Sequence, residues 1–422
     1  MSTLRQLRNL WILWVATIVL FCFSNAVAQT SYKVVDQGAL TNNNFSMVMG
    51  LNNQGWTENM DGVVNPPIKS LLTTVASGRA VINVHGLNID LGTLGGPNSW
   101  NNYGGINDRG EAVGFSETNV PDPDGEDVCA FGTGLTCLPF LWRDGHMSAL
   151  PTVGGNNGQA AAINNREQIA GFAETTVIDS GCPPFKTISP VLWEKGEAHA
   201  LPTVGSDPDG FAQGINNRGQ AVGYSGTCTT ALHAVLWENG MAIVLPDLGH
   251  ERSNIAFAIN DRGQIVGQVR STDGTTRVAA LWQNGALTNL GILPGDFGAF
   301  ATGINSRGQV VGSTNDSSLN WSRGFIWQDG VMTDLNTLFP ADSNLFVIAA
   351  SNINDRGQIS GMGTVLSGPH AGDIHAFLAT PVNASVGRSI ADVAPIHPKS
   401  NLPAQACHQS LRRFGSGQFE QQ

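Results

Sequence analysis

The chain has 422 residues, of which 13% are charged and 41% hydrophobic, with 51 glycines and a formal charge of −11. So acidic a balance argues against nucleic acid or anionic membrane as the main partner. The glycine-rich yet apolar composition excludes a disordered chain and suits a turn-rich, well-packed β protein.

The N-terminus reads as a secretory signal over residues 1–28. Arg5 and Arg8 precede an apolar run from Leu10 to Phe23, and Ala26-Val27-Ala28 supplies the small residues read by a signal peptidase, with cleavage after Ala28. The run is short for a bilayer span, so a retained anchor is the weaker reading. Cleavage removes two arginines and no acid, taking the charge to −13. No later stretch is apolar enough to span a membrane. The mature chain is therefore expected to be a secreted, periplasmic or cell-surface monomer.

From there one phrase recurs. It appears as LNNQG (51–55), INDRG (106–110), INNRE (163–167), INNRG (215–219), INDRG (259–263), INSRG (304–308) and INDRG (353–357). The period is about fifty residues, the signature of a propeller or a solenoid. In Asn-Asp-Arg-Gly the Asn side chain accepts from the backbone two residues on, and the Gly takes φ > 0, giving a hairpin turn with a G1 bulge. Glu167 stands where that Gly belongs, which predicts a distorted third hairpin at a cost of about 1–2 kcal/mol.

A second hairpin follows in each repeat: LPFLWRDGHM (138–147), PVLWEKGEA (190–198), AVLWENGMA (234–242), AALWQNGAL (279–287) and GFIWQDGVM (324–332). Asp-Gly, Lys-Gly and Asn-Gly are type I′ turn pairs. Each unit thus holds four antiparallel strands, one propeller blade. The first unit, with its weak third strand RAVINVHG (79–86), is the least regular.

The ends of residues 29–382 decide between ring and stack. SYKVVDQGAL (31–40) reads as a fourth strand lacking its first three, and IHAFLATPV (374–382) as a third strand with no fourth. A closed ring explains both, because the N-terminal strand completes the last blade. The expectation is an all-β, seven-bladed propeller of four-stranded blades; six blades with an irregular first segment is the alternative. Residues 383–422 show no strand period and read as a disordered tail.

The alternation of G-I-N-D-R-G-Q-I-V-G, H-A-F-L-W and D-L-G-T-L-G-G resembles the extracellular HAF-repeat family of bacterial proteins. The best matches are Gly105–Gly114, His375–Leu378 and Asp90–Gly96. That resemblance spans roughly residues 31–382. It implies location and architecture only, since the family has no established shared activity and offers no catalytic residue to carry over.

In a propeller the short repeated turns share one rim, and the long dissimilar segments collect on the other. Those segments include residues 116–137, 173–189 and 336–346. Binding sites sit on variable loops held by a rigid scaffold, so the loop-rich rim is where a site is expected. Arg109, Arg166, Arg218, Arg262, Arg307 and Arg356 would ring the short-turn rim as solvated residues, partly paired with Asp144, Glu194, Glu238 and Asp329. Trp142, Trp193, Trp237, Trp282 and Trp327 recur at one blade position and read as inter-blade packing. Trp100 and Trp321 read as loop aromatics outside the repeat, suited to ligand stacking or to anchoring a loop.

The cysteines support export. Cys129 with Cys137 and Cys182 with Cys228 are the candidate disulfides, their connectivity left open by spacing alone, and Cys407 is left over. DPDGED (122–127) resembles half of a calcium loop, with Asp122 and Asp124 as its ligands. It lacks the downstream Glu of an EF-hand, so an acidic surface loop is expected, with no metal or cofactor. No HExxH and no G-x-S-x-G elbow occurs. Two functions remain open. One is a non-catalytic binding or scaffold module holding an extracellular glycan or protein on its loop face. The other is a propeller hydrolase or lyase acting on extracellular polysaccharide, which would gather carboxylates within about 5–9 Å at the loop-side mouth.

Overall fold

The computed structural model describes residues 30–40, 43–63, 77–183, 185–227, 230–250, 252–318 and 320–382, the side chains of Tyr103 and Trp321 excepted. The expected leader, the tail with Cys407, and Cys228 lie outside them. Among the described residues no helix is long and apolar enough to cross a membrane.

Seven inner strands succeed one another around an axis: Phe45–Leu51, Gly95–Ile106, Gly158–Ile163, Asp209–Ile215, Ile255–Ile259, Gly298–Ile304 and Leu345–Ile353. Each begins a four-stranded antiparallel blade, numbered here 1 to 7 in that order. Blade 1 is complete: Ser77–Val84 pairs with Leu87–Asp90 across a His85-Gly86 turn in which both residues have positive φ. Six blades are thereby excluded. Blade 7 takes its outer strand from the other end of the chain. Ser31–Gly38 runs antiparallel to Ile374–Val382, with Ser31 opposite Val382 and Val34 opposite Ala379. The N-terminal strand closes the last blade, as its orphaned position in the sequence predicts.

The recurring Asn explains why the ring holds. In the 260 turn its Oδ1 accepts from Arg262 N–H and Gln264 N–H, each at 3.0 Å, while Nδ2 donates to Gln264 Oε1 at 2.8 Å. The remaining amide hydrogen leaves the blade and meets the Asn305 carbonyl of the next one at 2.9 Å. The same inter-blade bond runs from Asn52 to Asn107, on to Asn164, Asn216, Asn260, Asn305 and Asn354, and from Asn354 back to Asn52, at 2.9–3.1 Å throughout. All seven are buried. The next residue adds a second collar. Asn53, Asp108, Asn165, Asn217, Ser306 and Asp355 each donate a backbone N–H to the side chain of their counterpart one blade on.

The turn glycines serve two ends. Gly263 has φ +79 and Gly357 φ +78, and the guanidinium of the preceding turn, Arg218 or Arg307, lies where a Cβ would stand. Glu167 corrects the expectation of a distorted turn. It adopts φ 62, and its turn keeps both bonds, Glu167 N–H to Asn164 O and Asn164 N–H to Gln168 O. Its carboxylate takes Arg143 at 3.0 Å, which partly offsets the backbone cost.

The core lies between blades. Val113, Leu141 and Leu150 of blade 2 meet Ile163, Val191 and Trp193 of blade 3 in one buried cluster. The repeated tryptophan staples that seam. Trp193, Trp237 and Trp282 donate Nε1–H to the carbonyls of Pro151, Pro202 and Pro246 at the end of the preceding blade, at 2.7–2.8 Å. This is the inter-blade role expected of them, with a polar anchor added.

Candidate functional site

Blades 2 and 3 differ from the rest on the loop-rich rim. Their second strands, Ala112–Pro121 and Ile169–Ile178, run ten residues, against six or seven for Ala221–Thr227, Ile265–Arg270 and Val310–Asn315. They pair with Leu135–Arg143 and Lys186–Glu194 to make two hairpins that overhang the rim. Val120, Val177 and Ile178 sit on the overhang, 53–61% exposed.

Each overhang is braced. Cys129 and Cys137 form a disulfide across the first, with Cα atoms 5.4 Å apart and both residues buried. Cys182, in the second, is disulfide-bonded as well. Trp100 holds the first loop from beneath: its ring stacks on Phe115 at 6.4 Å and tilts against Phe131 at 5.2 Å. The loop location expected for the two tryptophans is corrected here. Trp100 belongs to inner strand Gly95–Ile106, opposite Phe115, and its half-buried ring is engaged by the loop. Trp321 begins strand Trp321–Gln328, opposite Asn315. The GGPNSW stretch has the composition of a loop, but Gly95, Ser99 and Trp100 pair with the second strand of their own blade.

The acidic loop ties the two overhangs together. Asp122 Oδ1 accepts from Asp124 N–H and Glu126 N–H at 2.9 and 3.0 Å, closing the loop on itself. Asp124 reaches across to Lys186 Nζ and to Asn156 at 2.6 Å. Asn157 is fully buried, and its Nδ2 meets Asp122, Glu174 and Glu126 at 2.8, 2.9 and 3.4 Å while Oδ1 accepts Cys137 N–H at 2.8 Å. The loop lies at the surface through Pro123, Asp124 and Gly125, as expected, but its Asp122 and Glu126 turn inward and are buried, and protein donors serve the two residues considered for calcium.

Burial raises the pKa of two of the acids on this rim. Glu174 is pushed up to about 8, first by burial and then by its hydrogen bond to Glu126. Asp209, at the mouth of blade 4, is raised to about 7 by burial and, further, by the charge of Asp179. Carboxylates therefore converge on the loop side, but Glu126 and Glu174 are 1% and 2% exposed. Their oxygens serve the junction between hairpins through Asn157. The arrangement acts as a buttress.

An axial cavity of about 220 Å³ opens on the other rim, inside the two collars, with Gln213, Phe257 and Thr302 among its lining. The collar oxygens are engaged from blade to blade. The arginines there are paired differently from expectation. Arg109 bonds Glu111 and the Asn165 carbonyl, and Arg307 bonds Gln309 and the Asp355 carbonyl. They lie along the ring and brace the next turn.

No family model matches the chain, and no curated protein matches it in sequence. Among solved structures it is similar to the β-propeller domain of the Trilobed protease from Pyrococcus furiosus, at 12% identity and a TM-score of 0.40, over 66% of this chain and 77% of that one. It is also similar to the acylaminoacyl peptidase of Pyrococcus horikoshii (12%, 0.43, 75% of this chain), of which it spans about half, 49%. A gluconolactonase from Xanthomonas campestris aligns over 85% of this chain and 93% of its own, at 10% identity and a TM-score of 0.38. No activity transfers from these likenesses.

Proposed function

We propose that the chain is an exported binding or scaffold propeller of the HAF-repeat kind, non-catalytic, holding a protein partner on the twin overhangs of blades 2 and 3. One observation carries this reading: Val120, Val177 and Ile178 stand exposed on two hairpins that a disulfide and a buried acid junction brace. Exposed aliphatic side chains carried on braced hairpins at the loop-rich rim read as contact residues. Preorganised apolar anchors lower the ordering cost of association. β-Branched aliphatic side chains suit a protein surface better than a sugar ring, which favours protein over glycan. Disulfide bracing and the leader read from residues 1–28 support export.

The test is retention of secreted and surface proteins from the producing cell on the immobilised chain, compared with a Val120→Asp/Val177→Asp/Ile178→Asp variant of unchanged circular dichroism. The reading expects a discrete partner that the variant loses. Equal retention of every protein by both would refute it.

A further inference from the structure

The geometry points to a divalent transition-metal site on the closing seam, formed by His370, Asp373 and His375 and backed by Asp36. None of these four residues stands out in the sequence as a metal ligand, and the segment HAGDIH (370–375) contains no recognised metal motif. Folding brings the donors together. The nearest donor atoms of His370, Asp373 and His375 all lie within 4.8 Å of one another.

Local structure places each of them. Strand Ile359–Val365 ends in a tight loop that returns to Ile374–Val382, closed by Gly372 N–H to Val365 O at 2.9 Å and Asp373 N–H to His370 O at 2.9 Å. That turn sets His370 Nδ1 3.1 Å from Asp373 Oδ2. His375 is the second residue of the returning strand, and its ring centroid is 5.7 Å from that of His370. Its side chain is 7% exposed, and Nδ1 faces both oxygens of Asp36 at 2.9 and 3.0 Å. Nε2 is the nitrogen left for a metal.

A carboxylate on the far nitrogen of a ligating histidine fixes its tautomer and raises its basicity, the usual outer partner of a metal-bound imidazole. Two imidazoles and one carboxylate form a three-ligand set that leaves a fourth tetrahedral position open. The His370 side chain is 63% exposed, so that position faces solvent. Bonds of about 2.0–2.1 Å place tetrahedral donors about 3.3 Å apart. The exposed loop must therefore close on the buried histidine by about an ångström. The carboxylates of Asp36 and Asp373, 2.9 and 3.1 Å from His375 and His370, supply the negative charge a dication needs. Nitrogen-rich donors select zinc, cobalt, nickel or copper over calcium and magnesium. Because Asp36 lies on the N-terminal strand and the ligands on blade 7, a bound ion would fasten the seam that closes the ring.

The experiment uses the purified chain after chelator treatment, titrated with Zn²⁺ by calorimetry and with Co²⁺ by visible absorption. The site predicts one saturable ion, a tetrahedral cobalt band, and a melting temperature that rises with Zn²⁺. His370→Ala and Asp373→Asn should each weaken binding at least tenfold, and Asp36→Asn about tenfold. His370 is exposed and Asp373 half-buried in a loop, so these variants fold even if a His375 variant does not. Absence of saturable binding, or binding unchanged in the His370→Ala/Asp373→Asn double variant, would overturn the assignment.

Discussion

Replacing Asn260 by Ala removes four hydrogen bonds at a site 7% exposed, two to backbone N–H groups, one to the Gln264 amide and one to the Asn305 carbonyl of the next blade. At about 0.5–1.5 kcal/mol net per bond, the loss is about 4 kcal/mol, because the former partners are left without a replacement. With an unfolding entropy of about 2.1 cal/mol/K per residue over a ring of about 350 residues, that loss lowers the melting temperature by about 5 °C. Asn260→Asp keeps the two acceptor bonds but turns a carboxylate toward the Asn305 and Gln264 oxygens. Its loss should match or exceed that of Ala at pH 7 and shrink at pH 4. Arg262→Ala, an exposed neighbour in the same turn, should stay within about 0.5 kcal/mol. Differential scanning calorimetry reads all three. An Asn260→Ala melting point within 1 °C of the parent, or no lower than that of Arg262→Ala, would refute the collar as a source of stability.

Two further expectations concern buried acids. The fold raises the pKa of Glu174 and Asp209 to about 8 and about 7, so between about pH 4.5 and 8 the folded chain holds protons that the unfolded chain has lost. Stability should therefore fall as pH rises through that window, and Glu174→Gln should flatten the slope in urea unfolding at pH 5, 7 and 9; a parent slope of opposite sign would contradict the raised Glu174 and Asp209 carboxyls. Glu58 is fully buried in blade 1, where burial holds its carboxyl well above the usual range against one backbone hydrogen bond from Val113, and the matching positions of other blades carry residues such as Val113, Val222 and Val266. Glu58→Val should stabilise the chain by about 1–3 kcal/mol at neutral pH, the desolvation penalty of an under-satisfied buried group; a lower unfolding midpoint would show that the Val113 bond outweighs that penalty.

Much of the architecture was legible because its determinants are local. The Asn-Asp-Arg-Gly turn, the type I′ pairs and the orphaned strand near Val34 are each short-range signals, and together they specify blades, their number and the way the ring closes. What escaped was contact between blades. The Asn side chain was read only for its own turn, whereas one of its bonds goes to the next blade, about fifty residues on. Glu167 looked unfit as a turn residue because its preceding-strand partner Arg143 is 24 positions away. GGPNSW looked like loop because glycine, proline and asparagine are poor strand formers, yet pairing with the second strand of its own blade overrides that preference. The platform's length was visible as a run of dissimilar sequence, but not the buried junction of Asn157 with acids from two blades. The His375–Asp36 contact spans 339 residues and exists only because the ends meet.

Ring closure supports all of this: the collars, the division into two rims, the platform and the metal site. A Val34→Cys/Ala379→Cys variant tests it directly, because these residues are opposed across the seam and antiparallel neighbours lie within disulfide reach. After mild oxidation, peptide mapping by mass spectrometry should find residues 34 and 379 linked within one monomer. Free thiols at both positions, or linkage only between separate chains, would contradict the closed propeller.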